Sequence, residues 1–127
     1  MTTVLISGSH DASDSMIAQV HEVVMQAKES GWTIICGDSP GVDLQVVNDC
    51  ERLGVPYMCY GLKDYPRNSA LKYMQLDVED YAARDRWMVD EADCVICITT
   101  HEGTRGTMDV YDYAVQCGKE RWLKKCE

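Results

Sequence analysis

The densest chemistry in this 127-residue chain lies between Arg84 and Asp109. Gly103-Thr104-Arg105-Gly106-Thr107 follows an apolar, β-branched run and leads into a helical pattern that starts near Met108. Glycines let backbone N–H groups approach a ligand closely, and a helix start adds unpaired N–H groups and the positive end of the dipole. Such a turn is equipped to hold a phosphate or carboxylate. Upstream, Tyr81, Arg84, Met88 and Ala92 recur at helical spacing, which sets Arg84 on the stripe expected to face a sheet. A guanidinium there has two readings. It can be structural, paired with Asp85, Asp93 or another acid, or it can clamp an anion with its planar donor fork. The Gly-rich turn nearby favours the clamp.

Two more turns share this character. Ser7-Gly8-Ser9 ends one apolar run, and Gly37-Asp38-Ser39-Pro40-Gly41-Val42-Asp43 ends another. Ser39 reads as a helix N-cap with Pro40 at the first helical position. Asp38 and Asp43 suit ribose hydroxyls, or merely complement a helix dipole; both readings stay open. The expected ligand contacts are therefore Ser7, Gly8, Ser9, Asp38, Ser39, Gly41, Asp43, Arg84, Gly103, Thr104, Arg105, Gly106 and Thr107. The GxGxxG fingerprint of ordinary dinucleotide sites is absent.

These turns need elements to position them. Apolar runs at residues 3–9, 32–36, 55–60 and 93–99 read as strands, with an edge strand at 120–123. Between them lie amphipathic helices. One carries Met16, Ile17, Val20, Val23, Val24 and Ala27 inward and stops at Gly31; the next carries Val42, Val46, Val47, Cys50 and Leu53 and stops at Gly54. A third bears Arg84, and a fourth runs over 108–117 to Gly118. Residues 61–80 are hard to decipher, with a short helix over 69–76 the best reading and a lid, specificity loop or interface the candidate roles. Strands alternating with helices imply an α/β fold. The expectation is a single Rossmann-like domain over residues 1–127: a doubly wound parallel sheet of about five strands, with helices on both faces. Residues 4–7, 33–36 and 94–98 are expected as adjacent central strands. All the Gly-rich turns would then gather on one edge, where ligands bind at the switch in strand order.

Bulk properties narrow the field. At 46% apolar and 26% charged, the chain has the balance of a soluble globule. No apolar run nears the roughly 20 residues of a membrane span, and no signal-peptide pattern opens the sequence, so a cytoplasmic protein without membrane partners is expected. The net charge of −9 argues against nucleic acid, whose duplex form is bound through basic residues. Lys119, Arg121, Lys124 and Lys125 form the one basic cluster and read as a solvated edge. Seven cysteines follow no disulfide framework. Cys94 and Cys97 make a CxxC, but i and i+3 on a strand point to opposite faces, so no metal or redox site is expected. No cofactor is expected either.

Taken together, Ser7-Gly8-Ser9, Gly37 to Asp43, Ala83-Arg84-Asp85-Arg86-Trp87-Met88, Ala92-Asp93 and Arg105-Gly106-Thr107 resemble the SLOG superfamily. That group includes the "lonely guy" phosphoribohydrolases, DprA-like proteins and sensor domains for NAD-derived nucleotides. The resemblance spans most of the chain outside residues 61–80. It implies a small-molecule nucleotide as ligand and a homo-oligomer. In the phosphoribohydrolases an Arg four residues before a Met and the motif PGGxGTxxE form the active site. Arg84, Met88, Gly106 and Thr107 match. Val110 falls where the motif has Glu, with Asp109 one residue early, and one residue turns a helix by about 100°. Asp109 is thus the candidate catalytic residue but is displaced from the family's position. The favoured expectation is a nucleotide sensor or sequestering protein, with an NAD-derived species such as cyclic ADP-ribose among its ligands. The alternatives are a nucleoside-monophosphate N-glycosidase, with Asp109, Glu102, Asp43 or Asp14 replacing the lost Glu, and a structural interaction domain.

Overall fold

β-branched runs that must be hidden on both faces dictate the centre of the molecule. The computed structural model describes residues 1–127. In chain order the elements are β1 (Thr3–Gly8), α1 (Asp14–Ser30), β2 (Thr33–Gly37), α2 (Val42–Leu53) and β3 (Tyr57–Gly61). There follow β4 (Tyr73–Gln75), α3 (Tyr81–Glu91), β5 (Cys94–Thr100), α4 (Arg105–Gln116) and β6 (Glu120–Cys126). One sheet in the order β4-β3-β2-β1-β5-β6 contains every strand, and every pairing is parallel. As expected from the sequence, β2, β1 and β5 are neighbours at the centre.

The period-2 alternation of the strands divides the core into two layers. Val4, Ile6, Ile34, Cys36, Ile96 and Ile98 point to the face covered by α1 and α2, where Val20, Val24, Val46 and Val47 are fully buried. Leu5, Ile35, Val95 and Cys97 point to the other face, against Met88, Val89 and Ala92 of the α3 segment and Val110 and Ala114 of α4. Cys94 and Cys97 accordingly sit in different layers. Burial pushes the Cys97 thiol up to about 12, so it packs as a small hydrophobe and not as a nucleophile. No helix is long and apolar enough to cross a membrane.

The sheet has six strands where about five are expected from the sequence. The extra one, β4, lies inside the segment whose pattern favours a short helix. Tyr73, Met74 and Gln75 continue β3 in register from Cys59↔Tyr73 to Gly61↔Gln75. What holds them is distant in sequence: the Tyr57 hydroxyl accepts the N–H groups of Leu71 (3.2 Å) and Lys72 (3.3 Å). The start of α2 also differs. Gly41, not Ser39, is the N-cap, because the Ser39 hydroxyl donates to Asp43 instead (2.6 Å).

Strand order reverses at β1. The chain builds outward through β2, β3 and β4, then crosses back through α3 to add β5 on the other flank. The loop after β1 ties the reversal together, with Ser9 N–H donating to Ile98 O (3.3 Å) and Val42 N–H to Ser9 O (3.0 Å). Gly41 makes that junction fit: its φ is +78°, and a Cβ would lie 2.2 Å from the His10 carbonyl oxygen. Gly54 also has positive φ (+71°), but a Cβ there meets nothing within 4 Å. Gly41→Ala should therefore cost roughly 2–4 kcal/mol, the sum of strain and clash, against about 1–2 kcal/mol for Gly54→Ala. Urea midpoints of the two variants measure the difference; equal losses would contradict the close approach at Gly41.

Candidate functional site

The crevice at the strand-order switch is a cavity of about 340 Å³ lined by fifteen residues, of which Met88 is the one apolar member. Each wall comes from the C-terminal end of a strand or the start of a helix. Ser7, Gly8 and Ser9 close β1, Gly37 ends β2, Ser39 and Asp43 lead into α2, Arg84 and Asp85 come from α3, and Thr104, Gly106 and Thr107 begin α4.

The α4 end of the cavity is a donor surface. Thr104 is the N-cap of α4 but makes no side-chain cap bond to the backbone. Its hydroxyl is engaged elsewhere, within 3.2 Å of Ser9 Oγ, 3.1 Å of Thr99 Oγ1 and 3.0 Å of Thr107 Oγ1. Thr99 Oγ1 in turn accepts the Thr104 N–H (2.9 Å), which fixes the turn. The N–H groups of Arg105, Gly106 and Thr107 have no intrahelical carbonyl, by helix geometry, and stand at the positive end of the dipole. Gly103 shapes this turn with φ of +85° and a 3.0 Å bond from its N–H to Thr100 O.

The opposite end is acidic, organised around Arg84, whose side chain is 7% exposed. Asp85 Oδ1 accepts from Nε (3.1 Å) and Nη2 (2.9 Å), while Nη1 donates to Asp38 Oδ1 (2.9 Å) and to Tyr60 O (3.4 Å). A guanidinium has five N–H bonds. Four are thus committed, and the last, on Nη2, lies toward Gly37 and Asp43: a Cβ on Gly37 would sit 2.8 Å from both Arg84 Nη2 and Asp43 Oδ2. Gly37 is the missing side chain that makes room for this array. Burial works to lower the Arg84 pKa, but Asp85, Asp43 and Asp38 outweigh it, and the net shift is upward. Burial also raises Asp85, against the opposing pull of Arg84. Asp43 is raised to about 6, chiefly by burial, with its Ser39 bond and Arg84 acting in the other direction.

Of the residues anticipated from sequence, Ser7, Gly8, Ser9, Ser39, Asp43, Arg84, Thr104, Gly106 and Thr107 line this cavity. Five other anticipated residues do not. Asp38 lies behind Arg84, 1% exposed, and also holds Arg67 through its Nε (3.0 Å) and its backbone N–H (3.0 Å). Gly41 and Gly103 serve turn geometry, and Arg105 is exposed at the start of α4. Asp109 lines a second, adjoining cavity of about 570 Å³, while Val110 is buried in the core. Sequence reasoning passes over His10, Asp11, Gly37 and Thr100 as lining residues, and considers Asp85 solely as a partner for Arg84. Asp85 carries no signal of its own, since adjacent helical residues do not normally face one another.

No family model and no curated protein matches the sequence. Solved structures do match. The molybdenum cofactor binding protein of the phototrophic bacterium Rippkaea orientalis superposes with a TM-score of 0.84 at 14% identity, over 99% of this chain and 77% of its own. The Moco carrier protein of Chlamydomonas reinhardtii gives 0.79 at 15%, over 99% and 77%. DNA processing protein A of Helicobacter pylori gives 0.76 at 15%, over 96% and 64%. At these identities the likeness shows the fold alone, a Rossmann-like parallel α/β sheet.

This likeness corrects one expectation. Net charge argues against nucleic acid, yet DNA processing protein A, with the same fold, has a single-stranded DNA binding mode. The exclusion does not hold. A net charge of −9 averages over the whole surface, whereas a single strand needs one locally basic groove with planar side chains.

The raised Asp43 has a consequence for stability. An unfolded Asp titrates near 3.9, so between there and about 6 the folded chain binds the extra proton and this group's stabilisation is lost as pH rises. Asp43→Asn carries no such titration. Relative to the parent it should gain about 3 kcal/mol between pH 4 and pH 7, from about two pKa units at 1.36 kcal/mol each. Denaturant midpoints of both proteins across that range give the comparison. A gap that does not change with pH would show that Asp43 titrates normally.

Proposed function

We propose that the switch-point cavity binds the sugar-phosphate part of a small nucleotide, and that the protein acts as a sensor or sequestering protein for that nucleotide. The observation that carries the reading is the polarity of the cavity along its length. One end offers the α4 N–H groups and the hydroxyls of Ser9, Thr104 and Thr107, which suit a phosphate. The other end offers the carboxylates of Asp43 and Asp85 around Arg84, which accept hydroxyl hydrogens but repel a second anion. A bare phosphate uses one end. A ribose phosphate uses both.

Binding without turnover fits the position of the candidate catalytic group. Asp109 lines the adjoining cavity, and Arg84 is already neutralised by Asp38 and Asp85. Ligand binding is also what the R. orientalis and C. reinhardtii proteins of this fold do, with the molybdenum cofactor as their ligand. NAD-derived nucleotides such as ADP-ribose and its cyclic isomers are the ligands to examine first, beside the common monophosphates.

Gly106 gives a clean test. A Cβ there meets nothing within 4 Å, so a side chain is accommodated without repacking. Gly106→Glu sets a carboxylate beside the first-turn N–H groups, where it favours the helix by about 0.3–1 kcal/mol. The same charge occupies the phosphate position. Isothermal titration with ribose 5-phosphate and with ADP-ribose should show affinity reduced at least tenfold in the variant, with an unchanged or raised melting temperature. Unchanged affinity for both ligands would reject the α4 turn as the phosphate site.

A further inference from the structure

The sheet ends in two unlike edges. β4 is three residues long, whereas β6 runs for seven, Glu120–Cys126. Along its whole length β6 pairs with β5 on one side and with no strand on the other. Such an edge presents a row of N–H and C=O groups ready to pair with another strand. Period-2 alternation sorts the side chains above and below it. Trp122 and Lys124 turn to the α1 face. Trp122 lies beside Ile96 there and lines a separate cavity of about 570 Å³, shared with Met25, Trp32, Glu22 and Glu29. Leu123 packs on the α4 side, so Arg121 and Lys125 share that face.

Two features of this edge go beyond what the fold needs. Trp122 is 46% exposed, an indole left half in water on the wall of a cavity. Arg121, bonded to the Lys119 carbonyl, and Lys125 belong to none of the ion pairs, in a chain where acids outnumber bases by 21 to 12. Cations on an edge strand ordinarily guard it against pairing with its own copies. The same guard leaves an oppositely charged strand free to dock. We infer that β6 accepts an extended acidic segment of another protein as a further strand of the sheet, with acidic and apolar side chains alternating along it. On the α4 face its carboxylates meet Arg121 and Lys125 as cross-strand pairs. On the α1 face its apolar side chains lie against Trp122 and enter the cavity, where Glu22 and Glu29 disfavour acids. The two faces of β6 thus dictate the alternation. A peptide also satisfies both the N–H and the C=O groups of the edge. A DNA backbone accepts hydrogen bonds but donates none, and its phosphates are repelled by Glu22 and Glu29.

Titration of the ¹⁵N-labelled chain with a blocked decapeptide of alternating glutamate and valine tests this. The amides of Glu120 to Cys126 should shift and exchange more slowly with deuterium. Arg121 and Lys125 are exposed, so their replacement leaves the core intact. Arg121→Glu combined with Lys125→Glu should weaken binding by roughly tenfold or more, since two cross-strand pairs turn repulsive. The same peptide with its backbone amides methylated keeps its charges but loses its donors, and should not bind the wild-type chain. Equal binding of the methylated peptide would reduce the edge to a charge effect and overturn strand addition. Unchanged affinity in the double variant, or β6 amides that stay still at millimolar peptide, would overturn it too. If an oligothymidylate of eight nucleotides moves the β6 amides at lower concentration than the peptide, the edge reads nucleic acid and the peptide partner is rejected.

Discussion

The site depends on one buried cation. Arg84 is held between Asp38 from the end of β2 and Asp85 from its own helix, with Asp43 of α2 beside its last free N–H. Charges this deep are tolerated only when paired, and removing one partner of such a pair typically costs about 3–5 kcal/mol because the rest are stranded. The network therefore constrains more than itself. Gly37 must lack a side chain to admit it, and Asp38 must also anchor Arg67, which docks the irregular segment between β3 and β4 onto the sheet. The structural reading of Arg84, an ion pair with Asp85, is the one the structure shows. It is neutralised by Asp38 behind the cavity and by Asp85 on its wall, with one N–H left uncommitted.

The topology supplies what Arg84 cannot. With most of its donors committed, the proposed anion recognition falls to the backbone, and the reversal of strand order at β1 sets the open N-terminus of α4 against the hydroxyls that follow β1. The proposed sugar-phosphate ligand rests on these donors and on the carboxylates of Asp43 and Asp85 in the same cavity. Whole-chain charge does not report such an arrangement, which is why −9 is a poor guide to nucleic acid in a fold that also serves single-stranded DNA.

The central strands are legible in the sequence, because Val4-Leu5-Ile6 and Cys94 to Ile98 are β-branched or apolar at every position and can only be covered on both faces. The Gly-rich turns are legible too, because each follows such a run. β4 is not: Tyr73-Met74-Gln75 is short and largely exposed, and its strand state comes from the distant Tyr57 and from Arg67 on Asp38. Ser39 misleads as a cap of α2 because it has a buried carboxylate four residues on, and a serine beside such a group donates to it. Asp11 is invisible for a plainer reason: nothing local distinguishes it among the 21 acids of the chain.

Backbone amide shifts during titration with ADP-ribose measure the central claim most directly. The account predicts that the largest changes in a ¹⁵N–¹H spectrum fall on Gly106, Thr107 and Ser9, and that β6 is unaffected. Changes concentrated on Trp122 and Lys124 of β6, with Gly106 and Thr107 unmoved, would contradict it.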